Sequence, residues 1–241
     1  MMDPSKAKSS THPNVWLLIP AYNVEPYIGK LLEQAVLHIP AHMIVVVDDG
    51  SHDRTAEIAE SKGVNLLSHS YNRGKGAALQ TGFDYLLDRG ADWGITIDGD
   101  LQHDPSMLPD FIEQAEQGNY DIAIGTRKRD MGGMPWDRRF SNWGTSLLLS
   151  IITGQKIRDS QSGYRLIKCS LLKGLKFDCT GYDFETEFLL KLSRVGARMG
   201  AVNIPTLYEG APSSINSLFD TLKFFRVIIR FFFHRNLKYD D

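Results

Sequence analysis

Cysteine is scarce: Cys169 and Cys179 are the two among 241 residues. They form no C-x-x-C pair and no histidines cluster at zinc spacing, which leaves neither a disulfide framework nor a structural zinc site and fits a reducing cytosol. Charge of one sign is also missing. A formal net charge of −2 argues against a nucleic-acid binder that works by neutralising phosphates. No apolar run approaches the roughly 20 residues of a membrane-spanning helix. The polar stretch Met1–Asn14 has no apolar signal region and reads as a disordered tail. Neither internal repeats nor low-complexity segments occur. What is present is ordinary for a globular chain: 42% hydrophobic residues, 10 prolines and 21 glycines, with no shift in composition that would mark a boundary. One large α/β domain over residues 15–212 is expected, followed by a C-terminal segment, 213–241, that belongs to it or docks on it.

The chain is organised around Trp93-Gly-Ile-Thr-Ile-Asp98-Gly99-Asp100-Leu-Gln102-His103-Asp104-Pro105. Ile95–Ile97 reads as a buried strand that delivers two carboxylates at its C-terminal edge. Gly99 between them allows a tight turn and close approach to a ligand. Asp104-Pro105 opens a helix, Asp as N-cap and Pro in the first turn. Two hard oxygen donors and the Gln102 carbonyl suit Mg²⁺ or Mn²⁺, ions that complete their shells with substrate phosphates. An Asx turn and a helix cap would account for one Asp but not for both.

Upstream, the apolar runs Val15–Ile19 and Met43–Val47 read as parallel strands buried on both faces. Each ends in a polar cluster, Pro20-Ala-Tyr22-Asn23 and Asp48-Asp49-Gly-Ser51. Helices are expected from Pro26 to about His38, Asp53 to Lys62, Ala77 to Leu87 and Ser106 to Gln117, with further strands at Val64–Leu67 and Asp121–Gly125. This alternation predicts an open, mostly parallel, doubly wound sheet. Ligands bind beyond the carboxyl ends of such strands, so Tyr22-Asn23, Asp48-Asp49 and Asp98/Asp100 should gather on one crevice.

The second half is less regular. Arg127–Arg139 reads as a mobile loop; Ser141–Thr153 and Phe184–Val195 read as helices; Leu166-Ile167 and Met199–Ile204 read as strands. From Ser217 to Lys238 one long helix is expected. Lys223, Arg226, Arg230 and His234 form a basic stripe on it, and Phe224, Phe225, Ile228, Ile229 and Phe231–Phe233 cover the remainder. That pattern suits a membrane interface, and equally a helix docked on the protein's own core or on a second copy. Asn72-Arg-Gly-Lys75-Gly76 lacks the spacing of a P-loop, and no G-x-G-x-x-G follows the first strand. A nucleotide kinase fold and a dinucleotide-binding domain are both disfavoured.

In order, Pro20-Ala-Tyr-Asn23, Val47-Asp-Asp-Gly-Ser51, Asn72-Arg-Gly-Lys-Gly76, Asp98-Gly-Asp-Leu-Gln-His103 and Gly125-Thr-Arg127 resemble family 2 glycosyltransferases with the GT-A fold. Ser162-Gly-Tyr-Arg165 and Gly181-Tyr-Asp-Phe-Glu-Thr-Glu187 resemble the branch with dolichyl-phosphate mannose synthase and other polyprenyl-phosphate glycosyltransferases. The resemblance implies a metal-dependent, inverting hexosyltransferase that uses Mg²⁺ or Mn²⁺. Its donor would be a UDP- or GDP-hexose and its acceptor a polyprenyl phosphate. It would work at the cytoplasmic face of a membrane, peripherally attached.

By the same resemblance, Pro20, Tyr22, Asn23, Val47 and Asp49 line the nucleotide end. Asp98, Gly99, Asp100 and Gln102 surround the ribose and metal, with Asp98, Asp100 and Gln102 as the metal set. Arg127 and Arg138 meet phosphate, as a guanidinium fork does well. Where many relatives carry Glu directly after Asn23, this chain has Val24, and Glu25 follows. Asp100, Arg127 and Asp183 are the candidate catalytic residues. A lipid phosphate acceptor is already an anion and needs no base. A hydroxyl acceptor would need one, with Asp183, Glu185, Glu187 or Asp159 available. Asp183 and Glu187 share a helix face, and Glu185 should point elsewhere. Acids at a helix N-terminus also occur for the macrodipole alone. The alternatives are the same donor chemistry with a saccharide or other hydroxyl acceptor, and a non-catalytic nucleotide-sugar-binding module.

Overall fold

A computed structural model describes residues 13–127, 136–181, 183–205 and 217–233, the side chains of 136–141 and 217–222 excepted. The expected tail therefore lies almost wholly outside the described residues, as do His234 and the far end of the last helix.

Seven strands form one sheet: β1 (Val15–Ala21), β2 (Ile44–Asp48), β3 (Asn65–Ser68), β4 (Trp93–Thr96), β5 (Ile122–Arg127), β6 (Arg165–Lys168) and β7 (Met199–Ile204). Their spatial order is β3-β2-β1-β4-β6-β5-β7. All pairs are parallel except those of β6, which runs antiparallel to both β4 and β5. Alternation along β1 assigns the two faces. Trp16 and Leu18 enter one core cluster with Val45 and Val47, while Leu17 and Ile19 enter the other with Ile44 and Val46. Helices α1 (Glu25–Ala35), α2 (Thr55–Ser61) and α4 (Leu108–Gln117) cover the second face through Ile28, Leu31, Ala59 and Phe111. On the first face lie α3 (Lys75–Asp88), α5 (Trp136–Thr153), α6 (Phe184–Arg194) and α7 (Ser217–Phe233). Burial on both faces explains why the strands read as continuous apolar runs.

Two expectations are corrected. Residues 136–139, expected in a loop, are the first turn of α5; the apolar positions 149 and 152 further along set a helical period that the charged start hid. The remaining expected loop, 128–135, lies outside the described residues. α3 begins at Lys75, two residues early, because Gly74, at φ 96, turns the chain directly into the helix.

The chain leaves β1 toward β2 and β3 on one side and returns through β4 on the other. The switch point therefore lies between β1 and β4, where an open α/β sheet has its crevice. The last residues of β1, β2 and β4 meet on one edge there.

Candidate active site

The nucleotide-side loops are held together by side-chain to backbone hydrogen bonds. Asn23, at φ 51, donates its N–H to Ser51 Oγ at 2.9 Å and accepts from the His52 N–H at 2.9 Å. Asp53 accepts from the N–H of Glu25 at 3.1 Å and of Thr55 at 3.0 Å, joining the starts of α1 and α2. Asp48 accepts from the Ser51 N–H. Asp49 is buried: its carboxylate takes the N–H of Arg73 at 2.9 Å and Gly74 at 2.7 Å, and contacts His69 Nδ1 at 2.6 Å. The Asp49 side chain thus positions the turn that opens α3. Val47 is fully buried, Pro20 lies within β1, and Tyr22 is exposed.

At the end of β4 the Ile97 N–H still bonds Leu18 O at 3.1 Å, carrying the pairing with β1 up to the two carboxylates. Thr96 Oγ donates to Gly163 O at 2.7 Å and draws the 160–164 turn over the strand end. A Cβ at Gly163 would stand 2.4 Å from Asp98 Oδ2, so glycine alone fits there. Burial disfavours the Asp98 charge, yet the Lys75 ammonium, 2.7 Å from Oδ1, holds the carboxyl below its usual range. Asp100 is different: burial and then the charge of Asp98 push it up to about 6. Asp100 Oδ1 accepts the Gln102 N–H at 3.0 Å across Leu101, at φ 59. A non-glycine residue in this left-handed region marks backbone strain at the turn between Asp100 and Gln102. His103 is buried, and burial, against the opposing pull of Asp98, brings it down to about 4, so it is neutral at pH 7.

Among the described residues no three His, Cys, Asp or Glu side chains cluster as a metal cage. Two close carboxylates, one pushed up to about 6 by burial and by the charge of the other, nonetheless fit an ion that takes one or two carboxylates and fills its shell from substrate.

Ion pairs build the opposite wall. Arg127, at the end of β5, makes a bidentate pair with Asp159, Nε–Oδ2 2.7 Å and Nη2–Oδ1 2.9 Å, and Asn142 donates to the same carboxylate at 2.9 Å. Asp159 is 3% exposed, and Arg127 keeps its carboxyl low in spite of burial. Arg138 falls on α5, but its side chain lies outside the described residues.

Of the acids near α6, Glu185 is the one joined to Asp98, through Lys75. It meets Lys75 at 2.9 Å and Arg165 through its other oxygen. The helix wheel gave its direction correctly as apart from Asp183 and Glu187; what it lacked was that this other direction faces Asp98. Glu187 accepts the N–H groups of Asp178 and Cys179 and pairs with Lys191 at 2.7 Å. Asp183 lies in a cavity shared with Lys223, Arg226 and Arg230 of α7. Gly163, Lys75, Glu185 and Arg165 were the residues whose site contacts the motifs alone left unread, although Gly163 and Arg165 stand inside the Ser162–Arg165 motif, Lys75 inside Asn72–Gly76 and Glu185 inside Gly181–Glu187.

The glycosyl transferase family 2 model matches residues 16–176, and the chain belongs to that family. It is a glycosyltransferase on a GT-A-type sheet. A UDP-N-acetylglucosamine–dolichyl-phosphate N-acetylglucosaminyltransferase of Methanococcus voltae is 31% identical over 219 residues, covering 80% of this chain and 86% of that one. An undecaprenyl-phosphate mannosyltransferase of Micrococcus luteus is 30% identical over 201 residues, 79% and 82% of the two chains. In fold, the chain is similar to glucosyl-3-phosphoglycerate synthase of Mycobacterium tuberculosis, solved with Mn²⁺ and UDP-glucose: TM-score 0.71 at 20% identity, covering 92% of this chain and 79% of that one.

Proposed function

We propose that this protein transfers a hexose from a nucleoside-diphosphate sugar to a polyprenyl phosphate at a membrane surface, with inversion at the anomeric carbon. The observation that carries it is the pair Asp98 and Asp100 at the switch point, the first held charged by Lys75 and the second pushed up to about 6 by burial and by the charge of Asp98. A divalent ion held by Asp98, Asp100 and the Gln102 carbonyl would neutralise charge on the departing diphosphate. Asn23, Tyr22 and the turn that Asp49 holds would take the nucleoside end. Arg127, fixed by Asp159 at the end of β5, would meet phosphate.

The choice of acceptor is supported by where the acids are spent. Asp159 pairs with Arg127, Glu185 with Lys75 and Arg165, and Glu187 with Lys191 and two backbone N–H groups. A lipid phosphate attacks as an anion and needs none of them. The named relatives act on dolichyl and undecaprenyl phosphates, in agreement.

Among the described residues no helix is long and apolar enough to cross a membrane. α7 docks on the core through Phe224, Val227 and Ile228, while Phe225, Ile229, Phe232 and Phe233 face outward, 49%, 57%, 59% and 82% exposed. Lys223, Arg226 and Arg230 accompany them. A docked helix with a second, basic-aromatic face suits a bilayer interface carrying anionic lipid. The triple charge reversal Lys223→Glu, Arg226→Glu, Arg230→Glu should release the protein from anionic vesicles; unchanged co-sedimentation would remove the electrostatic contribution.

The test of the reaction is turnover across UDP- and GDP-sugars with Mg²⁺ or Mn²⁺, with and without a short polyprenyl phosphate, for wild type and Asp100→Asn. Metal-dependent glycolipid, absent in the variant, is expected. Donor hydrolysis without lipid product would move the acceptor to a hydroxyl, with Asp183 as the base to examine. Nucleotide binding without any turnover would make the protein a binding module.

A further inference from the structure

Lys75 is held by more than its role as the first residue of α3 requires. The Gly76 N–H donates to Thr180 O at 2.8 Å, and a Cβ at Gly74 would stand 2.3 Å from the same oxygen, so the start of α3 is clamped against the loop before α6. From that clamp the ammonium reaches Asp98 Oδ1 at 2.7 Å and Glu185 Oε1 at 2.9 Å. Glu185 is itself fixed by Arg165, whose Nη2 donates to Ser160 O at 3.0 Å. Glu185 and Arg165 are 3% and 2% exposed, whereas the Lys75 side chain keeps 25%. The result is an alternating row, Asp98–Lys75–Glu185–Arg165, whose outer member is one of the two carboxylates offered to a metal. The inner members are buried, whereas the side chains of Lys75 and Asp98 keep 25% and 27% exposure.

We propose that Lys75 is a resident counter-cation of Asp98 that yields this carboxylate to the divalent ion, and that it thereby couples binding of the ion to binding of the nucleotide diphosphate. This rests on the reading of Asp98 and Asp100 as metal carboxylates. Asp98, pressed against Gly163 and with 27% of its side chain exposed, is stabilised in its charged form by a cation at this site before the metal arrives. Lys75 can let go of Asp98 without being stranded, because Glu185 retains it. Once a divalent ion is present, however, an ammonium nearby repels it in a partly desolvated site. The diphosphate supplies the negative charge that relieves this repulsion. Divalent ion alone should therefore bind weakly, and ion and nucleotide should each strengthen the other by the same factor.

The experiment is a Mn²⁺ titration, with free ion read by electron paramagnetic resonance. It is run with and without saturating UDP or GDP on wild type, Lys75→Met and Lys75→Gln, the last keeping a neutral hydrogen-bond donor at the position. In the wild type, nucleotide should tighten Mn²⁺ binding about tenfold or more. Both variants should bind Mn²⁺ alone about three- to tenfold more tightly, and lose most of the gain from nucleotide. Mn²⁺ binding that is unchanged or weaker in folded variants overturns the exchange, as does an undiminished gain from nucleotide. Should neither variant fold, the wild type still decides, since independent binding of Mn²⁺ and nucleotide overturns the coupling. A wild type that binds no Mn²⁺ at all sinks the metal reading together with this one, whereas normal Mn²⁺ binding with no effect of Lys75 sinks this one alone.

Discussion

The two flanks of the crevice are held by different physics. On the flank built by β1, β2 and β3, neutral side chains and carboxylates bind nearby backbone N–H groups: Asn23 with the 51–52 turn, Asp53 with two helix starts, Asp49 with the 73–74 turn. On the flank built by β5 and β6, charged side chains bind one another: Arg127 with Asp159, Arg165 with Glu185 and through it Lys75. Backbone-capping bonds fix loop shape, whereas buried ion pairs fix where charge stands and lose much when one partner is removed. The nucleotide side is thus built as a mould, and the phosphate side as an arrangement of charge. Asp98 and Asp100 lie on the boundary, separated by Gly99 alone, with their carboxyls shifted in opposite directions.

The sharpest break of that contrast is Asp100→Asn, which should lower turnover by about a hundredfold or more and weaken Mn²⁺ binding in parallel. Turnover within a few fold of wild type would remove Asp100 from the metal set. Next comes Asp159→Asn, which removes the buried carboxylate that pairs with Arg127 and accepts from Asn142, and should cost about 3 kcal/mol, seen as a fall in Tm of about 6–12 °C. A loss no larger than that for an exposed pair such as Lys62–Glu33 would erase the difference between the flanks.

Gly163→Ala tests the boundary itself. Its Cβ would meet the Asp98 carboxylate at 2.4 Å, which must shift. Turnover should fall about tenfold, with a stability loss of about 1–3 kcal/mol from overpacking; full activity would show that the position of Asp98 is not critical. The smallest expected effect concerns pH. Asp100 titrates at about 6 in the folded chain, above the ordinary 3.8. The protonated form therefore favours folding: its contribution is complete below pH 3.8 and is lost as pH rises through about 6. In EDTA at pH 7.5, Asp100→Asn should raise Tm by about 3 °C, and the gain should vanish near pH 4. A lower Tm for the variant at pH 7.5 would contradict the charge crowding.

Parallel strands buried on both faces leave uninterrupted apolar runs, and for that reason Val15–Ile19 and Met43–Val47 could be read without a structure. Their polar termini follow from topology: parallel strands put all their carboxyl ends on one edge. The local loop bonds are legible too, since Asp-x-Thr and Asp-x-x-Ser place acceptor and N–H two or three residues apart. Antiparallel β6 was not legible, because four residues flanked by polar turns carry no sign of direction. Nor was the first turn of α5, whose charged residues hide the period.

The sequence by itself determined the sheet, the edge where the polar clusters meet and the acidic pair at its centre, all consequences of hydrophobic period and of turn chemistry over a few residues. Only the tertiary structure decided which cation stands on Asp98, that Glu185 faces the site, and that Asp159 is spent on Arg127. Those pairings join side chains from separate elements, over 32 residues for Arg127 and Asp159. Coulomb attraction depends on distance in space, which the order of residues along the chain does not encode.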